Sequence, residues 1–113
     1  MKHGDYVPDR GEMIWLDVTP HAGHEQRGRR PALVLSPRSY NAKTSLCLCV
    51  PITSKIKGYP FEVVLPEGLP VHGAILSDQL KSLDFVVRDA RPIARLPDTL
   101  FKRVQQYAGA LIG

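Results

Sequence analysis

The chain has 113 residues, of which 43% are hydrophobic and 23% are charged, and these proportions are ordinary for one globular domain and unlike those of a disordered chain. No apolar run approaches the roughly 18 residues that a membrane helix needs, and the amino terminus lacks the apolar core of a secretory signal, so we expect a cytoplasmic protein. The sequence predicts a single domain over residues 1–113 that needs no cofactor to fold.

The first part of the chain predicts two strands joined by a long loop. Residues 12–18 alternate between two faces, which is typical of a strand. Residues 19–29 contain turn formers without apolar periodicity, and a loop of this length usually has a function. Because Pro31 disfavours helical angles at the preceding residue, Arg30 should lie at the entrance of a buried strand over residues 32–36.

The next segment predicts a short helix and a third strand. Ser36 followed by Pro37 is typical of a helix N-cap with proline in the first turn. Residues 46–54 read as a strand, in which Pro51 cannot donate a ladder hydrogen bond. Pro51 therefore predicts a bulge or an edge, and Thr53 should lie near the end of the strand.

The remaining sequence predicts shorter strands and one terminal helix. The strands cover residues 61–65, 74–78 and 85–93, with glycine and proline turns between them. Apolar residues recur at helical spacing after Pro97, which predicts a carboxy-terminal amphipathic helix. Many short strands with one terminal helix favour a mainly β fold, a small twisted antiparallel sheet or barrel.

Basic charge is concentrated in one region of the sequence. Between His21 and Lys57 there are seven basic residues against one acid, whereas the rest of the chain is slightly acidic. Such asymmetry is what an anionic partner such as a nucleic acid would favour, and a solvated basic face is the alternative.

The basic region also contains groups that could cleave RNA without a metal ion. Such cleavage needs a base for the 2′-hydroxyl, a cation for the charge on phosphorus and an acid for the leaving 5′-oxygen. The candidates for these roles are His24, Glu25, Arg30 and Thr53.

The histidines and cysteines predict no metal site. The four histidines and two cysteines lack the spacing of a zinc motif. Cys47 and Cys49 lie two apart in an apolar run, so they share a strand face and are predicted to be reduced, packed thiols.

The order and spacing of several short motifs resemble the MazF/PemK (Kid) family of toxins from toxin–antitoxin modules. The resemblance covers nearly the whole chain, and its clearest motifs are Arg30-Pro31, Tyr40-Asn41, Cys49-Val50-Pro51-Ile52-Thr53-Ser54, Lys57-Gly58-Tyr59-Pro60-Phe61-Glu62-Val63, Ser77-Asp78-Gln79 and Leu111-Ile112-Gly113.

This resemblance implies a homodimer of small SH3-like barrels with the CcdB/PemK-type fold. It implies cleavage of single-stranded RNA at short sequences, leaving a 2′,3′-cyclic phosphate and a 5′-hydroxyl. It also implies inhibition by a cognate antitoxin whose flexible acidic tail occupies the RNA groove.

The resemblance also implies roles for individual residues. Arg30 and Thr53 match the phosphate-contacting arginine and threonine of the family, Glu25 matches the loop acid of one branch, and His24 matches the loop histidine of the other. Asp78 matches an acid that the PemK branch uses in catalysis. Because Leu76 replaces the arginine which that branch places two residues earlier, we assign Asp78 to the binding surface instead.

The predicted RNA-binding surface contains further residues. Trp15 could stack on a base or pack at a dimer interface. The basic members, for which plain solubility is the alternative, are Arg27, Arg29, Lys55, Lys57 and Lys81.

Two other functions would fit the same fold. One is a non-enzymatic toxin that binds gyrase, as CcdB toxins do through a tryptophan at the end of the terminal helix. The corresponding end here, residues 110–113, has no tryptophan. The other is a passive RNA-binding module.

Overall fold

The computed structural model describes residues 6–18 and 28–113. It confirms a mainly β fold with a carboxy-terminal helix. In chain order the elements are β1 (Glu12–Asp17), β2 (Arg29–Val34), α1 (Arg38–Thr44), β3 (Leu46–Thr53), β4 (Glu62–Val64), β5 (Ala74–Leu76), β6 (Lys81–Asp84), β7 (Arg91–Arg95) and α2 (Asp98–Ile112).

The strands form an antiparallel sheet in which β3 is central. The strand order is β4-β5-β3-β2-β1-β7, and β6 also pairs with β3. Within the described ranges no ladder joins β4 to β7, so the sheet is open and the closed barrel that the resemblance implied is not formed. Beside β4 the sheet is covered by α2, where Phe61 and Tyr107 make an edge-to-face contact with ring centroids 5.7 Å apart.

Pro51 lies where β3 changes its partner. On the side of β3 away from β2, residues from Leu46 to Cys49 pair with β6, and pairing resumes with β5 at Ile52. Pro51 lies in the gap between these ladders, so its missing N–H costs no hydrogen bond there. The predicted irregularity is confirmed, and Thr53 is the last residue of the strand.

Each face of the sheet contributes side chains to an apolar cluster. Met13 and Ile14 are adjacent in β1, and both are 0% exposed because they belong to two different apolar clusters. The cluster around Met13 includes Phe101 and Val104 of α2, which therefore packs on that face. Neither described helix is long and apolar enough to cross a membrane.

The strand predicted over residues 85–93 is wrong in its first half. The chain turns after β6, and β7 begins only at Arg91. The cause is local, because the carboxylate of Asp84 accepts hydrogen bonds from the backbone N–H groups of Val86 (3.0 Å) and Val87 (2.9 Å). Asp89 then adopts a left-handed backbone with φ 52°. An aspartate that bonds the backbone two residues on favours a turn over a strand.

The helix predicted after Ser36 is confirmed, but the N-cap is wrong. Pro37 occupies the cap position of α1 and makes no side-chain cap hydrogen bond. The buried hydroxyl of Ser36 instead donates to Oδ1 of Asn41 at 2.7 Å and accepts from the backbone N–H of Leu48 at 2.8 Å. Tertiary partners thus outcompete the local cap.

Candidate nucleic-acid interface

An open groove of about 710 Å³ runs across the sheet around the end of β3. Strand pairing explains its composition, because β1, β2, β5 and β6 all lie near β3. Six of the residues that the sequence predicted for the site line it: Trp15, Arg29, Arg30, Thr53, Lys55 and Lys81.

A smaller cavity of about 230 Å³ extends the groove. The two spaces share lining residues, among them Thr53 and Lys55, and the smaller one adds Lys57 and Asp78. All the predicted site residues that the structure describes therefore lie in one continuous depression. The other three, His24, Glu25 and Arg27, lie outside the described residues.

The larger part of this depression, hereafter the main groove, is basic. Among the described residues that line it, the charged side chains are Arg29, Arg30, Lys55 and Lys81, and none is an acid. A concave surface with charges of one sign raises the local concentration of oppositely charged ligands. The main groove can therefore hold a chain of phosphates.

The two arginines at the start of β2 differ in their partners. Arg29 lies opposite Asp17 in the β1–β2 ladder and forms an ion pair with it. Arg29 also lies 3.6 Å from a carboxylate oxygen of Asp89, so its charge is largely offset within the protein. Arg30 is exposed, and no acid in the described part of the chain pairs with it. Its guanidinium is available to a phosphate, which it can bind with two parallel hydrogen bonds.

Thr53 is held by both local and long-range contacts. Its hydroxyl oxygen accepts a hydrogen bond from the backbone N–H of Lys55 at 3.1 Å, which leaves the hydroxyl proton free to be donated to a ligand. Its backbone pairs with Ala74 and packs closely on Gly73, where an added Cβ would lie 1.9 Å from the Thr53 carbonyl oxygen. Only glycine fits at this approach.

Glu62 supports the loop that carries Lys57, a role that the sequence analysis did not predict. Its side chain is buried, with 8% exposure, and its carboxylate accepts hydrogen bonds from the backbone N–H groups of Gly58 (2.9 Å) and Lys57 (3.2 Å). The sequence signal that could have revealed this role is an acid inside a short apolar strand. A carboxylate that is buried in such a strand needs hydrogen-bond donors nearby.

The two cysteines are buried, unbridged thiols, as predicted. Cys49 lines a cavity of about 220 Å³ that shares Arg30 and Lys81 with the main groove. The hydrogen bond from the Cys47 thiol lowers the pKa of Cys49, opposed by burial and reinforced by Lys81 and Arg88. The same hydrogen bond and burial raise the pKa of Cys47.

Metal ligands are not clustered in the part of the chain that the structure describes. No group of three or more histidine, cysteine, aspartate or glutamate side chains in those ranges could hold an ion.

Known proteins are similar to this chain in both sequence and fold. Endoribonuclease toxin MazF of Escherichia coli K12 is 47% identical over 108 residues, which cover 96% of each chain. Endoribonuclease PemK of Escherichia coli is 34% identical over 100 residues, or 85% of this chain and 75% of that one. A crystal structure of MazE–MazF (Form-III) from Deinococcus radiodurans superimposes with a TM-score of 0.87 at 49% identity, covering 96% of this chain and 98% of that one.

The family assignment rests on the same span of the chain. The model of PemK-like, MazF-like toxins of type II toxin–antitoxin systems matches residues 9–112, which include every described strand and both described helices. The chain belongs to this toxin family.

Proposed function

We propose that the chain is an endoribonuclease toxin that cleaves single-stranded RNA without a metal ion, leaving a 2′,3′-cyclic phosphate and a 5′-hydroxyl. The observation that carries this proposal is the basic main groove, in which Arg30 from the start of β2 and Thr53 from the end of β3 line one open space. The names of the relatives, endoribonucleases MazF and PemK, support the reaction class.

In this reaction Arg30 and Thr53 act on the phosphate to be cleaved. Arg30 stabilises the negative charge that develops on the oxygens of phosphorus, and the Thr53 hydroxyl donates to one of those oxygens. Fixed donors of this kind contribute about 10²–10³-fold each. His24 or Glu25, as predicted from the sequence, takes the proton of the 2′-hydroxyl.

The rest of the depression binds the RNA on either side of the cleaved bond. Lys55, Lys57 and Lys81 neutralise neighbouring phosphates. Arg29 lines the main groove beside Arg30, although Asp17 and Asp89 largely offset its charge, and Arg27 remains a basic candidate from the sequence. Trp15 is half-buried and lines the main groove, which favours stacking on a base. Asp78, exposed in the smaller cavity, is placed to accept hydrogen bonds from a base.

We further propose a cytoplasmic homodimer that is inhibited by a cognate antitoxin. The MazE–MazF complex of Deinococcus radiodurans supports the existence of such a partner. An acidic tail on the antitoxin would occupy the same basic main groove as RNA, since both are flexible anionic chains.

The test is cleavage of a long unstructured RNA by the purified protein in the presence of EDTA, with the cleavage ends mapped and their chemistry identified. We expect cuts at a short sequence with cyclic phosphate ends. Intact RNA in the presence of folded protein would contradict the proposal. Binding without cleavage would support a passive RNA-binding module, and tight capture of gyrase without cleavage would support a gyrase-directed toxin.

The number of phosphates that the lysines neutralise can be measured by a salt titration of binding to a non-cleavable RNA analogue. Each of Lys55→Ala, Lys57→Ala and Lys81→Ala should reduce the slope of log affinity against log salt concentration by about 0.7, the value for one neutralised phosphate on a single strand. Lys102→Ala is the control, because Lys102 is exposed on α2 and lines neither part of the depression. An unchanged slope for all three variants would remove these lysines from the RNA-binding surface.

A further inference from the structure

Among the described residues that line the main groove, one side chain is of a type that can exchange a proton near neutral pH, and no role has been assigned to it so far. Arginine and lysine side chains keep their protons at neutral pH, and no carboxylate in the described ranges lines the main groove. His72 does line it. Imidazole both donates and accepts protons in this pH range, which makes histidine the commonest acid–base residue in enzymes.

The backbone on both sides of His72 is fixed. Val71 is buried, with 5% exposure, and belongs to the apolar cluster that includes Met13 and Phe101. On the other side, the carbonyl of Gly73 accepts a hydrogen bond from the N–H of Leu65 at 2.8 Å. His72 itself is exposed. An exposed imidazole between two anchored residues can be held in place for a ligand at little entropic cost.

Gly73 also sets where His72 lies relative to the candidate site. Because Gly73 has no Cβ, its backbone packs directly against the carbonyl of Thr53. The residue before Gly73 is thereby brought to the end of β3, beside the threonine that we assign to the phosphate. The charged groups that share the main groove with His72 are Arg29, Arg30, Lys55 and Lys81, and Asp78 lies in the adjoining smaller cavity.

We propose that His72 is the general acid of the cleavage reaction, an inference that rests on the proposed function. The 2′-oxygen forms a bond to phosphorus as the bond from phosphorus to the 5′-oxygen breaks. The base removes the proton of the 2′-hydroxyl, and the imidazolium of His72 gives its proton to the departing 5′-oxygen. Afterwards the base releases the proton of the 2′-hydroxyl to solvent and the imidazole takes up one proton from solvent, so atoms and charge balance over the cycle.

The test compares two substrates and two proteins. The first substrate is an RNA oligonucleotide with the mapped cleavage sequence, and the second carries sulfur in place of the bridging 5′-oxygen at the cleaved bond. A thiolate leaves without protonation, so a general acid contributes little to cleavage of the second substrate. The proteins are the wild type and His72→Gln, with the pH dependence of kcat measured for each and urea unfolding used to compare their stability.

We expect His72→Gln to cleave the oxygen substrate at least about 100-fold more slowly, because general acids contribute about 10²–10⁴-fold. The variant should also lose the fall in rate at alkaline pH, and it should cleave the sulfur substrate at nearly the wild-type rate. A purely structural effect would slow cleavage of both substrates equally. The role is therefore overturned if the substitution slows cleavage of the oxygen substrate by less than about ten times as much as it slows cleavage of the sulfur substrate. Absence of cleavage by the wild type would instead overturn the proposed function, and this inference with it.

Discussion

Replacing Arg30 by alanine is expected to lower the single-turnover rate of RNA cleavage by at least about 100-fold. Arg30 is the exposed arginine at the start of β2, and no acid in the described ranges offsets its charge. The full positive charge of its guanidinium is therefore available to stabilise the negative charge on the phosphorane oxygens. The rate is measured with saturating protein on the mapped RNA, so that weaker binding does not account for the loss.

Arg103→Ala is the matched control for this variant. Arg103 is also an exposed arginine, but it lies on α2 and lines no part of the depression. It should cleave at the wild-type rate. If both Arg30→Ala and Arg103→Ala cleave RNA at the wild-type rate, the site of chemistry lies elsewhere on the molecule.

Replacing Gly73 by alanine is expected to lower the free energy of unfolding by about 2–6 kcal/mol. Two costs combine, since φ of Gly73 is +123° and an added Cβ would lie 1.9 Å from the carbonyl oxygen of Thr53. A strained backbone costs about 1–3 kcal/mol, and forcing an atom into packed space costs about the same. Urea unfolding followed by circular dichroism measures the loss.

Gly68→Ala separates the two costs. Gly68 also has a positive φ, +99°, but nothing lies within 4 Å of an added Cβ. It should therefore show only the backbone cost of about 1–3 kcal/mol. Equal losses at the two positions would mean that the contact between Gly73 and Thr53 relaxes easily and does not position the threonine. Because Gly73 packs on Thr53, Gly73→Ala should also cleave more slowly under conditions where it is still folded.

Several features of the structure follow from local rules that the sequence displays. Pro31 placed Arg30 at a strand entrance, and Pro51 marked the changeover in β3 that leaves Thr53 at the strand end. The period of the apolar residues predicted α2 and the alternation of β1. These features depend on residues a few positions apart, which a single sequence displays.

The features that the sequence did not predict depend on contacts between distant segments. One exception is the turn after β6, where the carboxylate of Asp84 binds backbone N–H groups only two and three residues further on, although the apolar residues there suggested a strand. The pairing of Arg29 with Asp17 follows from the register of two strands. His72 lines the main groove next to Gly73, which packs on Thr53, twenty residues earlier in the chain. Such partners are visible only when the sheet is assembled.

The change of partner along β3 also divides the walls of the main groove between two supports. Arg30 lies on β2, which pairs with β1 over five residues and with β3 over three. The opposite wall belongs to the β4–β5 ribbon, which pairs with β3 only at Ile52–Ile75 and Thr53–Ala74. The packing of α2 on the far side reinforces that narrow attachment. None of the described residues of α2 lines the main groove, yet Phe101 and Val104 of this helix pack in one cluster with Val63 of β4 and Ile75 of β5 and so stabilise the support of that wall.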